Sequence, residues 1–319
     1  MYNQTEAILS QYEIEVTEVT KGRGSFICDT DKGKMQLLPF RGSKEKGMQL
    51  YHFLLALREK GFAAEQLELT KTAEAIAEDA YSGERFLLKT YVEGTEISTS
   101  RLEDMKEAMH LLAIYHNTAE QIMAQTQTIE LEVWRRHYRE LIKVRNYIRN
   151  RKKKNEFEQI YMKHFEHNLK FAERSIQLLE EKGEPEPRSL YCHGDYNQHN
   201  ILLCGGSYRI VNFEGICYNW AMVDVAHFLR KMLEKNDWSE IIGKELVAEY
   251  ERYRPMYQTE YRQLYGLLLF PEKFWKVTNH YMNSRKTWIS ERDVEKLKKV
   301  IEQEERRLNF MENVFAFLG

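Results

Sequence analysis

The first ninety residues carry short runs of alternating apolar and polar side chains, with the two-residue period of β-strands. Residues 12–19 (YEIEVTEV) have this pattern and predict one half-buried strand. The runs SFICD and KMQLLPF, joined by a turn at residues 31–33, predict two more strands. AEAIAED and RFLLKTYV predict a hairpin around residues 82–83. The chain therefore begins with a predicted antiparallel sheet.

One helix is predicted within this strand-rich part. Ser43 is a favoured N-cap residue, and Gly61 is a residue type that ends helices. Between them the apolar side chains form a stripe at helical spacing. The pattern predicts a helix that runs from Ser43 to about Lys60.

The helical period dominates after Gly94. Residues 101–118 and 130–182 carry apolar side chains at helical intervals, with a predicted break near the charged run 149–156. A linker with two prolines follows, and beyond residue 220 the pattern is helical again. Short apolar runs between the linker and that point predict small strands at 188–192, 201–203 and 208–213.

The predicted fold class is α+β. A small lobe, residues 1–93, combines the antiparallel sheet with one helix. A larger, mostly helical lobe, residues 94–319, follows a connector near residues 91–96. The polar loop CHGDYNQHN (192–200) lies in the second lobe between short predicted strands. Motif and element order are independent signals, and both are typical of a two-lobed protein kinase-like fold.

Composition limits the classes of partner. With 319 residues, of which 43% are hydrophobic, the chain is long enough to bury a large core. Lysine and arginine total 47 and aspartate and glutamate total 49, so the formal net charge is −2. This balance favours neither nucleic acid nor an anionic membrane surface as a partner. We expect no membrane span, because no apolar run reaches about 18 residues.

The N-terminus and the cysteines indicate the compartment. Residues 1–16 include acids and lack the basic-then-apolar layout of a signal peptide, so cytoplasmic synthesis is predicted. The four cysteines have no CxxC spacing, which favours free thiols in an intracellular protein. They are Cys28, Cys192, Cys204 and Cys217.

The loop has the residue types and the spacing that phosphoryl transfer requires. Kinases carry H-x-D-x-x-x-x-N, in which the aspartate receives or orients the acceptor hydroxyl and the asparagine holds magnesium. His193, Asp195 and Asn200 match this spacing. We therefore predict Asp195 and His193 as catalytic-loop residues and Asn200 as a metal ligand, with ATP and Mg²⁺ as cofactors if the protein is active. For His193 we favour the role of a structural histidine of the catalytic loop over that of a base. Tyr196 and Asn197 lie where an acceptor substrate would bind.

The second metal-binding segment departs from the kinase pattern. RIVNFEG (209–215) follows at the expected distance, but Asn212 occupies the position of the metal-binding aspartate. An amide oxygen is a neutral ligand and adds no charge to hold magnesium. Glu214, two residues further on, is an alternative ligand. For Asn212 we favour the role of a structural amide that bonds the loop backbone.

The residues expected to bind the nucleotide are also incomplete. Leu38 stands where the third strand of a kinase carries its inward-facing lysine. Lys89, on the strand that leads to the connector, is expected to face solvent. Only Gly22 and Gly24 remain of a glycine-rich cover that would have three glycines. The connector residues expected beside a nucleotide are Tyr91 and Glu93.

The loop and the segments after it resemble a known superfamily. CHGDYNQHNILL, followed by VNFEGI and MVDVAHFLRKML, is similar to the HGDxxxxN and IDF motifs of the aminoglycoside phosphotransferase and choline kinase-like superfamily. LLAIYHNTAE (111–120) resembles its helix that ends in a histidine. The resemblance implies that Asp224 supports the catalytic loop. It would also place lysine at position 38 and aspartate at position 212, where this chain has Leu38 and Asn212.

A narrower resemblance connects the chain with spore coats. FPEKFWKVTNHYMNSRKTW (270–288), FRGSKEKG (40–47) and EKLKKVIEQE (295–304) look like segments of the CotS-type spore coat protein family of endospore-forming bacteria. This resemblance implies a location in the spore coat or the mother cell, with other spore coat proteins as partners.

Three hypotheses of function remain open. The first is a kinase-like protein with impaired or lost phosphotransfer that acts in coat assembly, because positions 38 and 212 lack charges that manage the nucleotide. The second is an active phosphotransferase for an unknown small-molecule acceptor, motivated by the retained Asp195, Asn200 and Asp224. The third is a sensor that binds a nucleotide without transferring phosphate.

The segment 135–154 is strongly basic. It holds ten lysines or arginines and one acid, Glu140. One interpretation is a solvated helix face above an apolar stripe. The other is a docking surface for an acidic partner.

Overall fold

The computed structural model describes residues 2–123, 132–284 and 291–316. The chain divides into two compact units. The first consists of Met1–Ile97, Ile114–Ala124 and His193–Cys217, and the second of Ser98–Ala113, Gln125–Cys192 and Tyr218–Gly319. The predicted α+β class is confirmed, since an antiparallel sheet forms the N-terminal region and helices dominate the rest of the chain.

The main sheet lies in the first unit and has six antiparallel strands. Their order is β1-β2-β3-β6-β4, and β5 also pairs with β6. The predicted turns at residues 31–33 and 82–83 join paired strands, as expected. Within the sheet Leu38 pairs with Leu87, and Gln36 pairs with Lys89. The strands are β1 Val16–Lys21, β2 Phe26–Thr30, β3 Gly33–Pro39, β4 Leu67–Glu68, β5 Ala77–Glu78 and β6 Arg85–Thr90.

The start of the chain differs from the prediction. A helix, α1 (Tyr2–Leu9), precedes the sheet, and the first strand runs over Val16–Lys21 rather than 12–19. Ile8, Leu9 and Tyr12 are buried in one cluster with apolar side chains of the sheet. An eight-residue helix has little stability of its own, so tertiary packing of this kind decides whether it forms.

The predicted helix after Ser43 is present as α2 (Lys44–Glu59). The Ser43 side chain accepts a hydrogen bond from the Lys46 backbone N–H at 3.2 Å, which is the expected N-cap. Gly61 follows the last turn with a φ of 81°, a left-handed conformation that suits glycine.

A second, three-stranded sheet in the first unit frames the polar loop. Its strands are β7 (Thr95–Glu96), β9 (Ile201–Cys204) and β10 (Ser207–Ile210), in the order β10-β9-β7. Short 3₁₀ turns at Gln198–Asn200 and Phe213–Gly215 connect the loop to these strands. The HGD loop (192–200) and the segment RIVNFEG (209–215), called the second motif below, therefore flank one β-hairpin.

The second unit is mainly helical. Side chains from α4, α5, α9 and α10 share one core that includes Leu141, Phe157 and Phe274. The predicted break near residues 149–156 separates α4 from α5. Strands β8 (Ser189–Cys192) and β11 (Cys217–Trp220) pair with each other. The helix α3 (Leu102–Ala119) belongs to the second unit as far as Ala113 and to the first unit from Ile114. The other helices of the second unit are α4 Glu132–Arg149, α5 Glu156–Glu180, α6 Met222–Lys235, α7 Glu240–Tyr253, α8 Gln258–Leu269, α9 Glu272–Asn283, α10 Glu291–Glu302 and α11 Glu304–Val314.

The basic segment divides into paired and unpaired side chains. Arg135, Arg139, Arg145 and Arg151 form ion pairs with glutamates of the same unit. Five other basic side chains are exposed and have no ion pair with any residue in the described ranges. They form the surface called here the basic surface: Arg136, Lys143, Arg149, Lys152 and Lys153.

The structure shows the state of the cysteines and the apolar character of the helices. All four cysteines are free thiols. Among the described helices, none combines the length and the apolar character needed to cross a bilayer.

Candidate nucleotide and metal site

The carboxylate of Asp195 is held by two asparagines of its own loop. Asn197 Nδ2 donates to Asp195 Oδ1 at 2.8 Å, and Asn200 Nδ2 donates to Oδ2 at 3.2 Å. The same amides donate to the backbone carbonyl of Asp195, at 2.9 and 2.8 Å. Asp195 itself is exposed. A carboxylate that is fixed in orientation and open to solvent retains the geometry of a group that orients an acceptor hydroxyl.

His193 is fully buried, and both of its ring nitrogens are engaged. The Asp195 backbone N–H donates to Nδ1 at 3.3 Å, so Nε2 carries the ring proton. Nε2 then donates to the Val211 carbonyl oxygen at 3.0 Å. The ring packs against Phe213, with 4.8 Å between centroids. This geometry makes His193 a positioning group that ties the loop to the second motif.

The second motif turns sharply at Asn212, whose backbone is left-handed with a φ of 64°. Glu65 fixes this turn: its carboxylate oxygens accept the backbone N–H groups of Asn212 and Phe213, each at 3.1 Å. The Asn212 side chain bonds other side chains rather than the predicted loop backbone. Its Nδ2 donates to Asn200 Oδ1 at 2.9 Å, and its Oδ1 accepts from Lys89 Nζ at 2.8 Å.

Lys89 is buried, which corrects the expectation that it faces solvent. Its side chain is 1% exposed. The ammonium group donates to Glu65 Oε1 at 3.1 Å, Asn212 Oδ1 at 2.8 Å and Glu214 Oε1 at 2.5 Å. An ammonium has three N–H donors, so these three acceptors satisfy it completely. Lys89, Glu65, Asn212 and Glu214 are called the Lys89 cluster below.

The charges of the Lys89 cluster favour the protonated lysine. Burial lowers the pKa of Lys89, but the attraction of Glu65 and Glu214 and their hydrogen bonds outweigh it, so the pKa is raised overall. The two carboxylates and one ammonium leave the cluster with a formal charge of −1. The lysine therefore stays charged in the folded protein.

The residues do not fit a magnesium site as they are arranged. The oxygen atoms that would bind the metal are Oδ1 of Asn200 and Oδ1 of Asn212, and each already accepts a hydrogen bond from the protein. Glu214, the alternative ligand, directs an oxygen to the Lys89 ammonium. Within the described ranges no three histidine, cysteine, aspartate or glutamate side chains are grouped as metal ligands.

Some of the residues predicted on the nucleotide side adjoin the Lys89 cluster, since Glu65 lines one cavity with Tyr91 and Glu93. Leu38 is half-buried, and Lys34 forms an exposed pair with Glu93 at 2.6 Å. Gly24 is left-handed, with a φ of 71°, and Gly22 N–H donates to the Ser25 carbonyl, so they form a tight turn. Connector residues line a cavity of about 540 Å³ in the first unit. The predicted residues in its lining are Tyr91 and Glu93.

The residues predicted on the acceptor side are mostly buried. Tyr196 is fully buried with its ring nearly perpendicular to that of His193, and Asn197 is bonded to Asp195. A direct contact of either with an acceptor stays a prediction. Asp224 is buried in the first turn of α6, and its support of the loop also stays a prediction.

Sequence reasoning missed Lys89 and Glu65. One signal was available for the lysine: in RFLLKT it shares a strand face with Leu87, while Phe86 and Leu88 occupy the other face. Apolar side chains on both faces indicate a strand buried on both sides. A lysine within such a strand must find acidic partners. For Glu65, in a loop between α2 and β4, no comparable pattern exists.

The sheet order, the connector and the held Asp195 define a kinase-like protein. The chain belongs to the family described as "Spore coat putative kinase YutH", whose model matches residues 5–314. It is also 22% identical over 327 residues to spore coat protein S of Bacillus subtilis (strain 168), covering 96% of this chain and 92% of that protein.

Solved structures support the fold. An aminoglycoside phosphotransferase from Alicyclobacillus acidocaldarius superposes with a TM-score of 0.83 at 17% identity, covering 98% of this chain and 96% of that one. The amicoumacin kinase hAmiN, in complex with AMP-PNP, Ca²⁺ and Ami, has a TM-score of 0.66 at 13% identity, covering 96% and 92%. The predicted kinase-like fold and the spore coat family are both confirmed.

Proposed function

We propose that this chain is a kinase-like protein of the spore coat that has lost metal-dependent phosphotransfer and acts in coat assembly. One observation carries the first part: Asn212 stands at the metal-binding position, and its Oδ1 accepts a hydrogen bond from the Lys89 ammonium at 2.8 Å. Without a carboxylate there, the site lacks a charge that kinases use to hold magnesium on the triphosphate. Membership of a spore coat family and similarity to spore coat protein S support the second part.

Thermal unfolding with ATP, with and without Mg²⁺, tests the loss of phosphotransfer. We expect Mg²⁺ to add nothing to any ATP-dependent rise in Tm, and we expect no phosphate transfer or release. A ligand that binds only the native state must raise Tm, so the measurement detects binding directly. Asp195→Ala is the matched control for turnover. Mg²⁺-dependent ATP turnover that disappears in Asp195→Ala would refute the proposal.

An active phosphotransferase is the alternative that Asp195 favours. Its carboxylate is exposed and held by Asn197 and Asn200, and a purely structural protein has no chemical need for this arrangement. On this alternative ATP and a divalent metal would be cofactors, as the complex of the amicoumacin kinase with AMP-PNP and Ca²⁺ suggests. The turnover assay with a panel of amines and aminoglycosides distinguishes the two.

A nucleotide sensor is favoured by a different observation. The cavity of about 540 Å³ beside the connector lies within the range of small-molecule sites. A rise in Tm with ATP, without turnover, would exclude the active phosphotransferase and show the nucleotide binding that a sensor requires and that coat assembly alone does not.

In the proposed role in coat assembly, the basic surface is the docking surface for an acidic partner. Reversing four of its charges should abolish recruitment to the coat, because an acidic partner would be repelled, while Tm should change by less than about 2 °C since surface changes cost little. Fluorescence of a tagged protein in sporulating cells measures recruitment. The reversed residues are Arg136→Glu, Lys143→Glu, Lys152→Glu and Lys153→Glu.

A control with the same change in net charge separates surface from total charge. It reverses four exposed lysines elsewhere, and coat recruitment should persist. Equal loss in both variants would mean that net charge, not the basic surface, matters. The control changes are Lys44→Glu, Lys46→Glu, Lys182→Glu and Lys299→Glu.

A further inference from the structure

The Lys89 ammonium lies among oxygen atoms of the kind that bind a divalent cation. Two carboxylates and one amide, from Glu65, Glu214 and Asn212, direct an oxygen to within 3.1, 2.5 and 2.8 Å of Nζ. Carboxylate and amide oxygens are the preferred ligands of Mg²⁺ and Ca²⁺. Here the positive charge at their centre belongs to the chain itself.

The buried lysine of this chain lies on a different strand from the nucleotide lysine of a kinase. Kinases carry the nucleotide lysine on the third strand, where it pairs with a helical glutamate, and a separate metal meets the second carboxylate segment. In this chain β3 has Leu38 at the expected position. The buried lysine comes from β6, and one ammonium contacts both a glutamate, Glu65, and the metal-binding segment at Asn212 and Glu214.

We propose that Lys89 is a resident cation that replaces the divalent metal at this position. It neutralises Glu214, holds Asn212 and thereby keeps Asn200 in the orientation that fixes Asp195. The chain of contacts is continuous: Lys89 to Asn212, Asn212 to Asn200, and Asn200 to Asp195. The loop is therefore ordered without metal. This inference rests on the proposed function in that it explains why the site no longer needs magnesium.

The proposal predicts that removing the lysine charge creates a requirement for metal. In Lys89→Met the two carboxylates and the amide converge with no cation between them, and like charges repel. Mn²⁺ should then bind at least tenfold more tightly than to the wild type and raise Tm from its value in EDTA. The wild type should show no such rise. Thermal unfolding and Mn²⁺ electron paramagnetic resonance, both without nucleotide, provide the readouts.

Matched variants make the test specific. Lys34→Met removes an exposed lysine of the same sheet and should leave Mn²⁺ affinity at the wild-type value. Lys89→Arg keeps a cation and should also remain indifferent to Mn²⁺. A Mn²⁺-dependent rise in the wild type equal to that in Lys89→Met, or no gain in Lys89→Met, would overturn the proposal.

A second variant decides the question if Lys89→Met does not fold. Asn212→Asp restores the kinase carboxylate but keeps the ammonium in place. The proposal predicts wild-type Mn²⁺ affinity for Asn212→Asp, because the lysine still excludes the metal. A tenfold gain with Lys89 retained would overturn it. These readouts omit ATP, so phosphate transfer by the wild type would refute the proposed function without altering them.

Discussion

Replacing Glu65 with alanine is expected to lower the free energy of unfolding by about 3–5 kcal/mol, the cost of removing one partner from a buried ion pair. Glu65 is 3% exposed and accepts three hydrogen bonds, from the Asn212 and Phe213 backbones and from the Lys89 ammonium. Its loss leaves buried N–H donors unsatisfied. Urea or guanidinium unfolding measures the change.

Glu93→Ala is the control for Glu65→Ala. Glu93 also pairs with a lysine of the sheet, Lys34, at 2.6 Å, but both side chains are largely exposed. Exposed pairs contribute about 0–1 kcal/mol, so Glu93→Ala should be nearly neutral. If the two variants were equally stable, the Lys89 cluster would contribute nothing to the fold, and Glu65 would not fix the second motif.

The second large effect is expected at Gly194, in the centre of the HGD loop. Its φ is 80°, and a Cβ atom there would collide with the Gly215 carbonyl oxygen of the second motif. An alanine therefore combines left-handed strain with overpacking against a backbone atom that has no rotamer to change. We expect Gly194→Ala to cost about 3 kcal/mol or more. Chemical unfolding measures the loss of stability, and hydrogen exchange of the loop measures its local disruption.

Gly206→Ala separates strain from collision. Gly206 has a φ of 89° in the turn between β9 and β10, and a Cβ atom there meets nothing within 4 Å. This variant should cost only the left-handed conformation, about 1–2 kcal/mol. Equal costs at the two glycines would contradict the close approach of the two motifs.

The prediction for Glu65 concerns contacts of the Lys89 cluster that local sequence patterns do not contain. Glu65 meets Phe213 across 148 residues of chain, and Lys89 meets Glu214 across 125. The lysine was expected to face solvent because a charged side chain near the end of a strand usually does. The buried ammonium of Lys89 is stable only because two carboxylates from distant segments converge on it.

The helix α1 likewise depends on contacts that the local sequence does not contain. Residues 2–9 are too few for a helix to be stable alone, and the burial of Ile8 and Leu9 against the sheet compensates for this. By contrast α2 was predictable at both ends. Ser43 and Gly61 act through their own backbone, so their effect is visible in the local sequence.

The sequence by itself determined the α+β class, the order of the sheet and of the helices that follow it, and the loop with Asp195 and Asn200. Strand periodicity, helix caps and the H-x-D-x-x-x-x-N spacing are local properties, and each is encoded within a few residues. Only the tertiary structure decided what holds the second motif. It surrounds Lys89 with Glu65, Asn212 and Glu214 because a buried ammonium is stable only where acceptors from several segments satisfy all its donors.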